Sequence, residues 1–221
     1  MKAIAIDGPA GAGKSTMARK LAAELGYIYV DTGALYRAIG YFVLLHGGDV
    51  RDEATVMGLL AGINIELKFI DMEQRVILNG NDVTSKIRTE AVSMAASAVS
   101  ALPPVRAFLL ELQRSLAKES DVVMDGRDIG TVVLPGADVK IFLTASPEER
   151  ARRRYGELTK KGISADYNAV LLDLKRRDYD DSHRDVAPLK PADDAILVET
   201  TGNEVSQSVA QLLKIVKENL P

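Results

Sequence analysis

The sequence predicts an α/β protein with a mostly parallel sheet, and three observations support this fold class. Short apolar runs typical of buried strands alternate along the chain with stretches of helical periodicity. The first apolar run leads directly into a glycine-rich segment of the form G-x-x-x-x-G-K-S. Two further apolar runs end in aspartate, at Asp31 and Asp125, and the carboxyl ends of parallel strands are where such sheets bind ligands.

The N-terminal part of the chain contains two predicted strand–helix pairs. Residues 3–7 are expected to form the first strand and residues 14–25 the first helix. A second strand is predicted from Tyr27 to Val30, followed by a helix from about Ala34 to Leu45 that ends before a Gly-Gly pair. Strands and helices that alternate in this way imply right-handed crossovers between parallel strands.

The middle of the chain has a different periodicity. Apolar and polar residues alternate from Ile63 to Phe69, and the apolar run 76–78 is followed by Asn79-Gly80. This pattern is typical of a small antiparallel hairpin and predicts an insert in the parallel fold. Two helices are expected to follow, at about 88–101 and 105–117.

The last part of the chain returns to the strand–helix pattern. Strands are predicted at 122–124, 139–143 and 196–198, and a closing helix at 204–218. Another helix is predicted to begin at Ser146, because Ser-Pro-Glu-Glu places a capping residue, a proline and a glutamate at the favoured positions.

The length, charge and cysteine content of the chain exclude or disfavour several classes of function. The 221 residues suffice for one α/β unit with small inserts, and 28 basic against 31 acidic residues give a net charge of −3. This balance disfavours nucleic acid as a partner. Absence of cysteine excludes disulfides and thiolate metal sites. With no apolar stretch long enough to span a bilayer and no expected signal peptide, we expect a cytoplasmic protein without a membrane partner.

The glycine-rich segment is the strongest functional signal. It runs from Gly8 through Pro9, Ala10, Gly11, Ala12 and Gly13 to Lys14, Ser15 and Thr16. Small residues let backbone N–H groups surround phosphate oxygens at a helix N-terminus. Lys14 would then contact the β- and γ-phosphates and Ser15 would bind Mg²⁺. The alternative is a glycine-rich turn that only joins a strand to a helix.

Two loops at predicted strand ends are further candidates. In the segment 31–37, Thr32 and Tyr36 share a helix face, although Asp31 could serve only as a helix cap and Arg37 as a surface charge. In the segment 125–131, Asp125 occupies the usual place of a carboxylate near the Mg²⁺ of a P-loop protein. Arg127 and Asp128 beside it could alternatively form a surface pair.

Two arginine clusters lie later in the chain. Arg150, Arg152, Arg153 and Arg154 follow the Ser146 cap and suggest a lid that closes on a transferring phosphoryl group, with Gly156 and Gly162 as hinges. The alternative is a solvated charged face. Arg177, Asp181 and Arg184 would share one helix face and could bind a ribose and a phosphate or form a surface network.

Over essentially its whole length, the sequence resembles the bacterial cytidylate (CMP) kinases. The matching stretches are 6–16, 31–37, 97–99, 104–106, 125–131, 140–143, 148–151 and 177–189. The resemblance implies transfer of a phosphoryl group from ATP to CMP or dCMP with Mg²⁺. It also implies the nucleoside monophosphate kinase fold, with a five-stranded parallel core sheet, an insert with a small antiparallel sheet, and a helical lid.

The resemblance also divides the chain and assigns its site residues. One P-loop kinase domain spans 1–221, with a core at about 1–31, 105–146 and 165–221, a nucleotide-monophosphate region at 32–104 and a lid at 147–164. The implied contacts with the base of CMP are Ser97, Arg106 and Asp128, and those with its sugar are Arg177 and Asp181. The implied contacts with its phosphate are Arg37, Arg127 and Arg184. Thr32 and Tyr36 are implied to be further CMP-binding residues. Segment 8–16 would bind ATP, and the implied catalytic residues are Lys14, Arg150, Arg153 and Arg154. Ser15 would ligate Mg²⁺, and Asp125 through water.

Three alternatives remain at this stage. A kinase for AMP, UMP or shikimate would share the fold, but the set Ser97, Arg106 and Asp128 disfavours it. A GTPase switch would need a guanine-reading Asn-Lys-x-Asp motif, which the sequence lacks. A non-catalytic nucleotide-binding module would not need so many arginines. We expect a monomer, since nothing in the sequence demands an oligomer.

Overall fold

The computed structural model of the protein describes residues 1–70 and 73–220. Within these ranges the chain forms eight strands and eight α-helices. The strands are β1 (Ala3–Asp7), β2 (Ile28–Asp31), β3 (Ile65–Ile70), β4 (Glu73–Leu78), β5 (Asn81–Asp82), β6 (Val122–Asp125), β7 (Val139–Thr144) and β8 (Ile196–Glu199). The helices are α1 (Lys14–Leu25), α2 (Thr32–Leu45), α3 (Glu53–Leu60), α4 (Glu90–Ser100), α5 (Pro103–Glu119), α6 (Pro147–Lys160), α7 (Tyr167–His183) and α8 (Val205–Asn219).

The main sheet is five-stranded and parallel, in the order β2-β6-β1-β7-β8. Ile6 on β1 pairs in register with Asp125 on β6, and Asp125 pairs with Asp31 on β2. Because all five strands run in the same direction, their carboxyl ends meet at one edge of the sheet. The glycine-rich loop and both predicted strand-end aspartates therefore lie side by side, as the sequence predicts.

Both faces of this sheet are buried, because side chains alternate between them along each strand. Ile4 and Ile6 pack on one side with residues of α1 and α8, including Leu21 and Leu212. Ala5, between them, belongs to the core on the opposite face, which is covered in part by α5. Sheet burial on both faces is typical of parallel α/β proteins, so the fold class predicted from the sequence is confirmed.

The insert has an apolar core of its own. Helices α2 to α5 and the antiparallel sheet β3-β4-β5 enclose a cluster that includes Leu35, Val76 and Leu109. Helices α2 and α4 approach closely at Gly40, where an added Cβ would lie 2.9 Å from the Cβ of Ala95. The predicted hairpin at Asn79-Gly80 is present and joins β4 to β5.

Three details differ from the sequence predictions. Helix α2 begins at Thr32 rather than Ala34, because the Asp31 carboxylate caps it by accepting a hydrogen bond from the Ala34 N–H. Helix α3 was not predicted, and of α7 only the segment from Arg177 onward was considered as helical. Arg184 lies just after α7 as its C-cap residue, whereas Arg177 and Asp181 lie within the helix.

No single helix in the described ranges has the length and apolar composition needed to cross a membrane. Helices α4 and α5, which are bent by 99° at their junction, pass this test only when taken together.

Candidate functional site

A large cleft lies at the carboxyl edge of the parallel sheet. Its volume is about 1190 Å³, and its walls come from the glycine-rich loop, α2, α4, the loop after β6, and helices α6 and α7. The cleft brings together most of the predicted site residues. Those that line it are Ala10, Gly11, Gly13, Lys14, Ser15, Thr16, Thr32, Tyr36, Arg37, Ser97, Arg106, Asp125, Arg127, Asp128, Arg153, Arg154, Arg177, Asp181 and Arg184.

The glycine-rich loop is held tightly between β1 and α1. Gly8 has a φ of +146°, and an added Cβ there would lie 1.9 Å from the carbonyl oxygen of Leu143. Only glycine fits this position, because both the backbone conformation and the close strand exclude a side chain. The Lys14 ammonium folds back over the loop and donates a hydrogen bond of 2.6 Å to the carbonyl of Pro9. The loop is thus curled around a lysine at the start of a helix.

Three side chains with oxygen atoms meet at the start of α1, where the sequence predicts a Mg²⁺ site. The Ser15 hydroxyl donates to Asp125 Oδ2 at 2.8 Å, and the Tyr29 hydroxyl donates to Asp125 Oδ1 at 3.0 Å. Burial raises the pKa of Asp125. Among the described residues no group of three or more His, Cys, Asp or Glu could hold a metal ion. The hydroxyl–carboxylate pair instead fits Mg²⁺ that is held mainly by substrate phosphates and water.

The burial of Lys14 predicts that the stability of the folded protein depends on pH. Burial and the nearby Arg127 charge lower the pKa of Lys14 to about 7, whereas an unfolded chain keeps it near about 10.4. Between these values the unfolded state binds one more proton, so this group makes the free energy of unfolding rise with pH.

Lys14→Met removes this contribution. In denaturant unfolding, the stability of the wild type relative to the variant is therefore expected to increase from about pH 6.5 to about pH 9.5. A difference that stays constant across this range would contradict the buried-lysine interpretation.

A second wall of the cleft carries a buried arginine–aspartate pair. Asp128, which is 5% exposed, forms an ion pair with Arg106, and Arg184 lies 3.5 Å from its other oxygen. Arg106 also donates to the carbonyl of Ser100 at 3.1 Å, and its guanidinium lies 5.6 Å from the centre of the Tyr36 ring. These contacts fix a donor and an acceptor next to each other in a buried part of the cleft wall.

Arg127 and Asp181 form another ion pair in the cleft, with Arg127 Nε donating to Asp181 Oδ2 at 2.8 Å. Burial alone would raise the pKa of Asp181, but the Arg127 guanidinium holds that pKa below its usual range. Arg177 has its pKa lowered by burial and by Arg127. The cleft therefore concentrates positive charge, which suits an anionic ligand.

Asp31 forms ion pairs with two arginines at the N-terminus of α2. Its Oδ2 atom accepts hydrogen bonds from Arg37 at 2.7 Å and from Arg88 at 2.9 Å. Although burial opposes ionisation, these two charges hold the pKa of Asp31 below its usual range. Arg88 lines the cleft and was missed by the sequence reasoning. The hydroxyl of Thr32 is turned to the protein and donates to the carbonyl of Asp125 at 2.8 Å.

The arginines of α6 have different environments. Arg150, predicted as catalytic, is 3% exposed and does not line the cleft. Its guanidinium donates to the carbonyls of Ala10 and Ala145, each at 2.9 Å, and pairs with Asp178 at 2.6 Å. In this geometry Arg150 supports the glycine-rich loop through Ala10, and its catalytic role stays a prediction.

The other two predicted catalytic arginines of α6 line the cleft, as does Arg152 of the same cluster. Arg153 is braced by Glu149 at 2.8 Å and by the carbonyl of Thr200 at 2.6 Å. Arg154 is more exposed and pairs with Glu157 at 3.3 Å. The predicted cap of α6 is also present, because Ser146 accepts a hydrogen bond from the Glu149 N–H.

Comparison with known proteins gives a family match over nearly the whole chain. The family model described as cytidylate kinase matches residues 4–218. A cytidylate kinase of Caldicellulosiruptor bescii is 50% identical over 221 residues, covering 98% of each chain. A cytidylate kinase of Carboxydothermus hydrogenoformans is 52% identical over 213 residues, covering 96% of each chain.

Solved structures with the same fold are more distant. An uncharacterised protein from Eubacterium ventriosum has a TM-score of 0.55 at 12% identity, with 98% of this chain and 99% of that chain covered. A gluconokinase from Sinorhizobium meliloti has a TM-score of 0.50 at 14% identity, with 99% and 93% covered. At such identities these structures bear on the fold alone.

Proposed function

The chain belongs to the cytidylate kinase family, and on this premise we propose that its cleft transfers the γ-phosphoryl group of ATP directly to the phosphate of CMP or dCMP. It is a phosphotransferase that acts on CMP and dCMP. The observation that carries the mechanism is that one cleft holds both the Lys14 loop and the Arg106–Asp128 pair. Both substrates can then be bound with their phosphates facing each other.

The Arg106–Asp128 pair is the proposed reader of cytosine. A carboxylate oxygen of Asp128 accepts a hydrogen bond from the exocyclic amino group, and Arg106 donates to the acceptor edge of the base. Ser97, which lines the same cleft, completes the set. Uracil carries an oxygen in place of that amino group. This oxygen would face an oxygen of the Asp128 carboxylate, and both acceptors would be left without a donor. Such a mismatch in a closed site is costly, and UMP is therefore disfavoured.

The acceptor phosphate is bound by arginines. Arg37, Arg127 and Arg184 are the proposed clamp, because bidentate guanidinium groups match phosphate oxygens. Arg177 and Asp181 bind the sugar, and Thr32 and Tyr36 lie beside the nucleotide. The attacking oxygen is already anionic near neutral pH, since the second pKa of a phosphomonoester is about 6. Catalysis then needs no general base, and positioning with charge neutralisation supplies the rate.

The donor phosphates are the proposed ligands of the loop from Gly8 to Thr16. Backbone N–H groups and Lys14 surround the phosphates, and Ser15, with Asp125 through water, would hold Mg²⁺. When bound, Mg²⁺ neutralises charge on the β- and γ-phosphate oxygens. Arg153 and Arg154 stabilise the charge of the transferring group from the α6 side of the cleft.

The proposal also divides the chain into a lid, an acceptor region and a core. Residues of about 147–164 form the lid, 32–104 the acceptor region, and the remainder the core. Closure of the lid would exclude water and suppress hydrolysis of ATP. We propose that the protein is a cytoplasmic monomer whose partners are small molecules rather than nucleic acid or membrane.

Arg88 is expected to strengthen binding of the acceptor phosphate. Arg37 and Arg88 share one oxygen of Asp31, so the cluster keeps a positive charge that a phosphate would neutralise. Arg88→Gln should raise the KM for CMP about tenfold, as expected for one charged hydrogen bond, while leaving the inhibition constant of cytidine unchanged. Arg75→Gln is the matched control, because Arg75 forms an ion pair with exposed Glu73 and does not line the cleft. Equal weakening of CMP and cytidine would exclude a phosphate contact.

An acceptor panel tests the proposed reaction. ADP release is coupled to a reporter enzyme in the presence of Mg-ATP and CMP, dCMP, UMP, AMP, GMP or shikimate. We expect rapid turnover with CMP or dCMP and little with the others. Faster turnover with UMP or AMP would refute the proposed reading of the base, and no turnover with any acceptor would leave only nucleotide binding.

A further inference from the structure

Asp7 is a buried carboxylate that the proposed reaction does not use. It is the last residue of β1, directly before Gly8, and is 5% exposed. Its Oδ1 atom accepts a hydrogen bond from the Ile129 N–H at 2.8 Å, and its Oδ2 atom accepts one from the Gly130 N–H at 2.7 Å. One side chain therefore joins the start of the glycine-rich loop to the loop that follows β6.

These two N–H groups belong to an unusual turn. Ile129–Val133 form a single π-helical turn, in which the Val133 N–H binds the carbonyl of Asp128 at 3.1 Å. The first N–H groups of any helix lack partners within it, and the preceding residue, Asp128, provides no side-chain cap here. From a neighbouring strand, Asp7 supplies acceptors for the first two of these N–H groups, those of Ile129 and Gly130. The π-helical hydrogen-bond pattern is rare in proteins.

The turn fixes the position of Asp128. The backbone immediately after Asp128 is held by Asp7, and the Asp128 carboxylate is held by Arg106 and Arg184. Without the Asp7 contacts, two buried N–H groups would lose their partners, and the turn would be free to rearrange.

Only an ionised carboxylate serves both N–H groups equally well. An asparagine of the same shape has one acceptor oxygen, and its NH₂ group would face the second N–H donor. The charged groups around Asp7 are Lys14 and Asp128, and burial raises the pKa of Asp7 to about 6 despite its two hydrogen bonds. The protein thus retains a carboxylate at a site where burial disfavours its charge.

We infer that Asp7 is a positioning residue that holds the Arg127–Asp128 segment against the glycine-rich loop and thereby sets the discrimination between cytosine and uracil. The inference rests on the proposed function. Asp7 does not line the cleft; it acts through the backbone next to Asp128.

The test compares Asp7→Asn with Asp138→Asn. Asp138 is the matched control, because its carboxylate accepts a backbone hydrogen bond of 2.8 Å from Ala3, at the opposite end of the same strand. For Asp7→Asn, the ratio of kcat/KM for CMP to that for UMP is expected to fall about tenfold. The fall should arise mainly from a higher KM for CMP, with the KM for ATP nearly unchanged. Asp138→Asn should leave all three quantities at wild-type values.

An unchanged CMP:UMP ratio in folded Asp7→Asn, or equal losses with both acceptors, would overturn the inference. If that variant does not fold, hydrogen exchange of the wild type decides. The Ile129 and Gly130 amides should already be protected without CMP, and rapid exchange there would show that Asp7 does not hold the turn. A wild type that fails to phosphorylate CMP would instead refute the proposed function and leave the exchange result intact.

Discussion

Replacing Lys14 by Met is expected to lower kcat by about 10²–10³-fold, the usual cost of removing one preorganised donor from a developing anionic charge. Lys14 lies at the centre of the loop and is positioned to leave the Pro9 carbonyl for phosphate oxygens. Its charge counts most while the γ-phosphoryl group moves, so kcat should fall more than the affinity for CMP. Steady-state kinetics with CMP and ATP measure both.

Lys20→Met serves as the control for this variant, because Lys20 is an exposed lysine on the same helix. It should keep the wild-type kcat, and both variants should retain the wild-type circular dichroism spectrum. Near-normal turnover of folded Lys14→Met would refute the proposed role of the lysine.

Replacing Asp128 by Asn is expected to reduce kcat/KM for CMP by about 10–100-fold, which corresponds to about 1–3 kcal/mol for a specific base contact. The amide keeps only one acceptor oxygen, carries an NH₂ donor in place of the other and has no charge, so it weakens the bond from the cytosine amino group and removes the ion pair with Arg106. The same amide can donate to uracil, so turnover of UMP should fall far less. The measurement is kcat/KM for the two acceptors in parallel.

Asp180→Asn is the control for base reading, since Asp180 is an exposed carboxylate on α7. It should leave the CMP:UMP ratio unchanged. If Asp128→Asn lost activity equally with CMP and UMP, Asp128 would have no part in base recognition.

Most of the fold could be predicted because its signals are local. Each parallel strand is a short apolar run, and the Ser146 cap and the Asn79-Gly80 turn carry their own sequence signatures. Helix α3 escaped prediction because only Val56 and Leu60 of its eight residues are buried, which leaves a weak periodic pattern. The sequence feature that indicates the start of α3 is its capping residue, Asp52, whose side chain accepts a hydrogen bond from the Thr55 N–H.

The parts of the candidate site that consist of consecutive residues in a motif could be predicted from the sequence. The glycine-rich loop and the loop after β6 lie at the strand ends that the sequence indicates. Arg88 could not be found in this way, because its contact with Asp31 depends on how the insert folds back onto β2. The environment of Arg150 likewise depends on Ala10 and Asp178, which only tertiary packing brings to it.

A crystal structure of the protein with CMP, Mg²⁺ and a non-hydrolysable ATP analogue tests the central claim most directly. We expect the cytosine amino group within hydrogen-bond distance of Asp128, the CMP phosphate among Arg37, Arg127 and Arg184, and the triphosphate in the loop from Gly8 to Thr16. The two phosphates to be joined should face each other in line. Cytosine bound away from Arg106 and Asp128, or a CMP phosphate that points away from the triphosphate, would contradict the account.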